Sequence, residues 1–289
     1  MKNKSYIDFR SAAGASLDNH PRSNLYLLLD HAALPGLARK LHSQSMNWRT
    51  LFDGAKEESA IAAAPILVLI ACEGQIRATR RFFQWVAENA SDTSSAIMIS
   101  SPLPLDVMKK RLEARLDVEL SEGISAMLRF YDPRVLEILA KVLKPTESEV
   151  FLGLADSWIY PNRAGEFVTV SAKVSDVDEF EPPLQLDQVQ ESTLLEASEI
   201  DQVLDLLRTT IPSKMAEFSV RHQYVHTLNM VEKAKLDGIG SVLGYSIYAA
   251  IAFVRGMNVT ASSGWQNLVV ELRGGNFDVS KFDEIVEHL

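Results

Sequence analysis

NLYLLLD, at Asn24–Asp30, is the stretch of sequence that decides the fold of the first half of the chain. It is a short apolar run bounded by polar residues, and such a run is typical of a buried β-strand. PILVLIA at Pro65–Ala71 and AIMIS at Ala96–Ser100 repeat the pattern, and FVTVSA at Phe167–Ala172 ends the series. These four segments predict the strands of one lobe.

Segments with the 3.6-residue apolar period of an amphipathic helix lie between these strands. They cover residues 31–42, 73–88 and 105–115. Because strands alternate with helices, the sequence predicts an α/β lobe. Apolar segments at 116–120 and 124–131 flank a predicted turn, so we expect some antiparallel pairing and a mixed sheet of the α+β kind.

The composition changes after the last predicted strand. Residues 174–192 carry several acidic residues and no basic one, with two adjacent prolines in the middle. A Pro-Pro pair inside an acidic run is typical of a linker. We therefore predict an α/β lobe at 1–172, an acidic linker at 173–192 and a separate all-α helical lobe at 193–289.

The last third of the chain shows only the helical period. Pro212 suits the first turn of a long helix that reaches about Lys235, since its missing N–H costs nothing there. Ile239–Val254 is the most apolar stretch, but a membrane-spanning helix needs about 20 apolar residues. We interpret it as a buried helix, followed by amphipathic helices at 265–272 and 282–289.

Composition and charge bound the class of protein. The chain has 289 residues and a net charge of −9. An acidic chain is repelled by phosphate backbones and by anionic lipid, so we expect no nucleic-acid partner and no membrane partner. The single cysteine, Cys72, excludes a disulfide within the chain and favours a reducing compartment. MKNKSYIDFRSAAGAS lacks the apolar segment of a secretory signal, so we expect a cytoplasmic protein.

His222 and His226 are the candidates for a metal site, because they lie one helical turn apart. The metalloprotease motif needs a Glu directly after the first His, but Gln223 occupies that position. His222 also shares a stripe with Phe218 and Val225, which favours packing at the edge of the core over a metal. No phosphate-loop or nucleophile-elbow motif is present, and we expect no cofactor.

RFYDPR, at Arg129–Arg134, predicts a junction between a strand and a helix. Asp132 suits the cap of the helix and Pro133 suits its first position. The sequence leaves two interpretations of Arg129 open. It is either an anchor that binds another polypeptide or one half of an internal ion pair with Asp53 or Asp132.

Four segments together resemble one family. They are LLLD at Leu27–Asp30, LFDG at Leu51–Gly54, APILVLI at Ala64–Ile70, and RFYDPR followed by VLEIL at Arg129–Leu139. Their order and spacing are similar to those of the type VI secretion effector chaperones, also called adaptors. The resemblance covers about Asn24–Tyr160, including Trp158, and the helical C-terminal part shows no matching motif.

The resemblance implies a protein without catalytic activity. Such proteins bind a cognate secreted effector in the cytoplasm, keep it soluble and pass it to the spike-tip VgrG trimer. We assign partner binding to residues of the shared motifs: Phe52, Asp53, Arg129, Tyr131, Asp132 and Arg134. Two other functions stay open, an immunity protein that binds the toxin domain and a hydrolase with a site between the lobes.

Overall fold

The structure of the chain is a computed structural model that describes residues 2–53, 63–90, 94–256, 259–260, 262–275 and 277. For residues 2–8 and 263 it describes the backbone alone. The chain divides into two compact units, Met1–Leu194 and Leu195–Leu289. The strands lie in the first unit, and the described part of the second unit is helical, which confirms the predicted mixed α and β fold class.

The described residues form two sheets. The ten strands are β1 (Asn24–Leu29), β2 (Asn47–Thr50), β3 (Ile66–Cys72), β4 (Gln75–Ile76), β5 (Ala96–Ser101), β6 (Asp117–Glu119), β7 (Ser125–Met127), β8 (Ser157–Pro161), β9 (Phe167–Ser171) and β10 (Leu184–Gln185). The larger sheet has the order β2-β3-β1-β5-β8-β9, with β4 paired to β3, and its pairings are antiparallel. The smaller sheet has the order β10-β6-β7, with β10 parallel to β6.

Eleven helices are described. They are α1 (Lys2–Asn19), α2 (Leu37–Ser43), α3 (Arg80–Ala90), α4 (Leu105–Ala114), α5 (Pro133–Val142), α6 (Pro145–Leu152), α7 (Gln188–Thr210), α8 (Pro212–Met215), α9 (Val220–Leu236), α10 (Val242–Arg255) and α11 (Ser263–Arg273).

The alternation of side chains along the strands separates two cores on the two faces of the larger sheet. Leu25, Leu27 and Leu29 of β1 are buried on the face that α1, α2 and α3 cover. Tyr26 and Leu28 point to the opposite face, which α4, α5, α6 and the smaller sheet cover. Helices therefore pack on both sides of an antiparallel sheet.

The helix predicted at 73–88 begins later than the sequence suggests. Glu73 and Gly74 adopt positive φ angles of 52° and 71°. This turn sends the chain back along β3 as the short strand β4, so α3 begins only at Arg80. A strand of two residues is too short to show a period, which is why this strand was missed.

The helix predicted to run from Pro212 to Lys235 is interrupted. α8 ends at Met215, and α9 begins after Ser219, whose side chain accepts a hydrogen bond from the backbone N–H of His222. A serine at this position is a favoured helix cap, so the break has a local cause. The helix predicted at 282–289 and Gly54 of the LFDG segment lie outside the described residues.

The acidic segment that the sequence predicts to be a linker packs into the first unit. Phe180, Leu184 and Leu186 are buried in the core on the α4–α6 face. Asp178 of the same segment forms an ion pair with Arg115, with 2.8 Å between Nη2 and Oδ1. Its few apolar residues show no regular period, so this packing could not be predicted from the sequence.

The core of the second unit lies around α10. Tyr248, Ala249 and Ile251 of this helix are buried among side chains of α7, α9 and α11. The Tyr248 ring packs edge-on against Trp265, with 4.6 Å between ring centroids, and its hydroxyl donates to Asp237 Oδ2 at 2.8 Å. None of the helices that the structure describes is long and apolar enough to cross a membrane.

Candidate functional site

One end of the larger sheet brings together the two motifs that the sequence analysis singled out. β1 ends at Leu29, whose register partner on β3 is Ile66. The backbone N–H of Leu51 donates to the Pro65 carbonyl at 2.9 Å, which places the LFDG segment at the same end. Asp30, the residue after β1, lies there as well, and it contacts the RFYDPR segment.

We name the polar corner by its five residues: Asp30, Arg129, Tyr131, Asp132 and Arg134. Asp132 caps α5, because its Oδ1 accepts a hydrogen bond from the backbone N–H of Arg134 at 2.9 Å, and Pro133 occupies the first helical turn. These contacts confirm the predicted helix cap and the predicted position of Pro133. The Arg134 guanidinium donates to the same carboxylate, with 2.8 Å between Nη2 and Oδ2.

Arg129 is paired with Asp30. Its Nη2 donates to Asp30 Oδ2 at 3.0 Å, and the buried Asp30 carboxylate also accepts from the Ala32 N–H at 3.0 Å. The predicted partners of Arg129, Asp53 and Asp132, were wrong. The partner is Asp30, which lies 99 positions away and is brought close only by the fold. The Arg129 side chain remains 50% exposed, so the pair holds the guanidinium at the surface.

The two aromatic residues of the motif are buried. The apolar segment at 124–131 forms a strand only as far as Met127, and Phe130 and Tyr131, which follow it, are both buried. Phe130 packs edge-on against Trp158 with 6.5 Å between ring centroids. Burial raises the pKa of Tyr131, and the charge of Arg129, 5.6 Å above its ring, opposes the rise.

An ion pair beside the polar corner escaped the sequence analysis. Arg163 Nη1 lies 3.1 Å from Glu137 Oε2 and donates to the Arg134 carbonyl at 3.0 Å. Burial tends to raise the pKa of Glu137, but the hydrogen bond from Lys141 and the charge of Arg163 outweigh it and lower this pKa. No local motif marks residues this far apart, so the sequence could not show the pair.

The predicted partner-binding residues fall into two groups. Phe52, Tyr131 and Asp132 are buried in the first unit. Asp53, whose carbonyl accepts a hydrogen bond from Lys109 Nζ at 2.5 Å, and Arg129 are exposed, and Arg134 is half-buried. The accessible face of the site is therefore polar, and the guanidinium of Arg129 is its most prominent donor group. Such a surface suits the carboxylates and carbonyl oxygens of another polypeptide.

A hydrolase that uses a serine nucleophile needs a base that accepts the proton of the serine hydroxyl. In the first unit, Ser23 Oγ donates to Asp156 Oδ2 at 2.5 Å, and His20 Nδ1 lies 4.0 Å from the same oxygen. The serine and the imidazole therefore share a carboxylate, and the serine proton points to Asp156. This trio does not have the order of a nucleophile, its base and an orienting acid.

The two candidate metal ligands stack with aromatic rings. His222 lies parallel to Phe218 at 4.7 Å between ring centroids and to His226 at 5.8 Å, and His226 packs on Phe253 at 4.1 Å. Among the described residues, no three His, Cys, Asp or Glu side chains are grouped so that they could hold a metal. The ring contacts of both imidazoles agree with the favoured interpretation, packing at the edge of the core.

We expect the second unit to lose stability on acidification because of His226. Burial, then the nearby His222 and Lys233, lower the pKa of His226 below its ordinary value. The unfolded chain therefore takes up this proton at a higher pH than the folded chain, and stability falls once the pH drops below about 6.5. Melting temperatures between pH 8 and pH 5 should fall less steeply for His226→Gln, whereas an unchanged slope contradicts this account. His42→Gln, at an exposed histidine, is the control.

A family match covers the larger part of the first unit. Residues 25–149 match a family model described as "Domain of unknown function (DUF4123)". The matched region begins in β1, ends in α6 and contains both the LFDG segment and the polar corner. No curated protein matches the chain, and no solved structure matches it.

Proposed function

We propose that the chain is a cytoplasmic chaperone of type VI secretion, which binds a cognate effector protein and loads it onto the spike-tip VgrG trimer. The observation that carries the proposal is the match over residues 25–149, because that family is known for effector chaperones of this secretion system. The sequence motifs that resemble these chaperones lie inside the matched region.

The polar corner supplies the contact chemistry of this proposal. Asp30 and the Tyr131 ring hold the Arg129 guanidinium in place while half of its side chain stays exposed. A guanidinium fixed in this way loses little freedom when it binds a carboxylate or a carbonyl of the effector. Arginine is also one of the residues that most often anchor protein interfaces.

A chaperone that hands on its cargo needs two contacts of moderate strength. One surface binds an effector segment and another contacts the spike. Two modest interfaces on one chain give strong but reversible binding, because the second contact forms at a high effective concentration. No catalytic step is part of this mechanism.

Arg129→Ala is expected to weaken effector binding roughly tenfold, since an interface anchor commonly contributes more than about 1 kcal/mol. It should also lower the free energy of unfolding by roughly 1–2 kcal/mol, because the buried Asp30 carboxylate then keeps, among the described residues, the Ala32 N–H as its one donor. Calorimetric titration with the purified effector and urea unfolding measure the two effects. Arg39→Ala, at an exposed arginine of α2 on the opposite face of the sheet, is the matched control.

Asp30→Asn separates binding from stability. It removes the same ion pair but keeps the Arg129 guanidinium, which then lacks one of the two groups that hold it. If Arg129 contacts the effector, Asp30→Asn lowers stability and retains more of the affinity than Arg129→Ala does. Equal losses of affinity in Arg129→Ala and Asp30→Asn would show that Arg129 acts only inside the fold.

A further inference from the structure

None of the described strands pairs with the outer edge of β9. β9 is the last strand of the larger sheet in the part of the chain that the structure describes. At one end of its ladder with β8, the Ala172 N–H donates to the Asp156 carbonyl at 3.0 Å. Hydrogen-bonded and non-hydrogen-bonded pairs alternate in an antiparallel ladder. The N–H and C=O groups of Phe167, Thr169 and Ser171 therefore point away from β8.

The residues of β9 lack the side chains that commonly protect an edge strand against pairing. Proteins commonly blunt an edge strand with a lysine, a proline or an inward-pointing charge. The sequence of β9 at 167–171 is FVTVS, which contains none of these residues. The strand is thus a suitable template for an added strand.

A cleft of about 750 Å³, which we name the polar cleft for the hydroxyl groups in its lining, borders β9 on the face that α1 covers. Thr169, Ser171 and His20 contribute to its lining. Ser16 and Ser157 also line it, each only 3% exposed, and neither Oγ has a hydrogen-bond partner among the described residues. A buried hydroxyl without a partner costs about 1–3 kcal/mol, so both oxygens favour a ligand that donates and accepts hydrogen bonds.

An acidic cleft of about 450 Å³ borders the same strand on the face that α6 covers. Glu149, Asp178, Glu179 and Lys173 lie in its lining. Asp178 is already paired with Arg115, so the carboxylates of Glu149 and Glu179 remain against the single ammonium group of Lys173. This cleft therefore favours a cationic side chain.

We propose that β9 binds an extended segment of the effector as an additional strand. The proposal rests on the proposed function, and it names the binding mode and the chemistry of the segment. Side chains of an added strand alternate between the two faces of the sheet. Short hydroxyl or amide side chains enter the polar cleft, and Lys or Arg side chains enter the acidic cleft, while backbone hydrogen bonds form along the edge.

The test uses peptides of equal composition. Ac-SKSKSKSK-amide has the proposed alternation, and Ac-SSSSKKKK-amide carries the same charge without it. We expect the alternating peptide to bind the full chain roughly tenfold more tightly than the other peptide. The gain comes from two or three additional hydrogen bonds and from the matched side chains. Equal affinities would show attraction to the negative chain alone and would overturn the proposal.

Thr169→Pro tests the edge itself. Proline removes the outward N–H and is tolerated where that N–H faces solvent on an edge strand, so the ladder with β8 should stay intact. We expect roughly tenfold weaker binding of the alternating peptide, whereas Thr169→Val, which keeps the N–H, should retain most of it. Undiminished binding by a folded Thr169→Pro chain would overturn the proposal.

Two further measurements keep the outcomes distinct. If Thr169→Pro does not fold, amide hydrogen exchange of the native chain decides, because the Thr169 amide should become protected when the alternating peptide is added. An amide that stays unprotected overturns the proposal.

If native and Thr169→Pro chains capture the effector equally well, the β9 site is wrong and the chaperone function stands. If the peptide binds at β9 but no effector is captured, the chaperone function fails instead.

Discussion

Arg115→Ala is expected to lower the free energy of unfolding of the first unit by roughly 3–5 kcal/mol, the cost of breaking a buried ion pair. The Arg115 side chain is 0% exposed. Its guanidinium donates to the carbonyls of Phe151, Val150 and Arg111 and to both oxygens of Asp178. Its loss leaves several buried acceptors without donors and frees the acidic segment from the core.

Urea unfolding measures this effect, with Arg81→Ala, at an exposed arginine of α3, as the control. Arg115→Lys should recover only part of the loss, because an ammonium group cannot reproduce the planar set of guanidinium bonds. The acidic segment should also become more sensitive to protease in Arg115→Ala. A loss of stability below about 1 kcal/mol would contradict the view that Arg115 holds this segment in place.

Phe130→Ala is expected to cost roughly 3–5 kcal/mol, since it leaves a cavity in a well-packed core. The ring is fully buried and packs edge-on against Tyr131, Phe151 and Trp158, with 6.2, 5.7 and 6.5 Å between ring centroids. α6, β8 and the segment before α5 meet at this ring, so its loss should destabilise all three.

Thermal unfolding checks this prediction, with Phe130→Leu as the control that keeps most of the volume and should cost less than about 1.5 kcal/mol. Phe130→Ala should lose effector binding in proportion to its loss of folded protein. Arg129→Ala should lose binding while folded. If Phe130→Ala has the same melting temperature as the native chain, the view that Phe130 stabilises the fold while Arg129 contacts the partner is wrong.

The strands that the sequence predicted are those that carry long apolar runs. The runs at 24–30, 65–71 and 96–100 became β1, β3 and β5 with ends shifted by at most one or two residues. β8 and α1 are among the elements that the sequence did not predict. The first is short and mixes apolar with polar residues, and the second has no marked apolar face, so neither shows a clear period.

The candidate site was predictable only where its contacts are local. Asp132 and Pro133 belong to a helix-cap pattern that is contained within adjacent residues, and the structure confirmed it. The partner of Arg129 was not predictable, because Asp30 lies on another strand and the packing of the whole sheet brings the two together. The same reason hid the pair of Arg115 with Asp178, 63 positions apart.

Native mass spectrometry of the chain purified from its own cells tests most directly whether this molecule holds other polypeptides. The account predicts a complex in which the chain carries an effector through a region outside its toxic domain, together with the spike-tip trimer in a second population. A chain recovered free of any polypeptide partner that converts a small substrate would contradict it, and so would a complex with the isolated toxic domain alone.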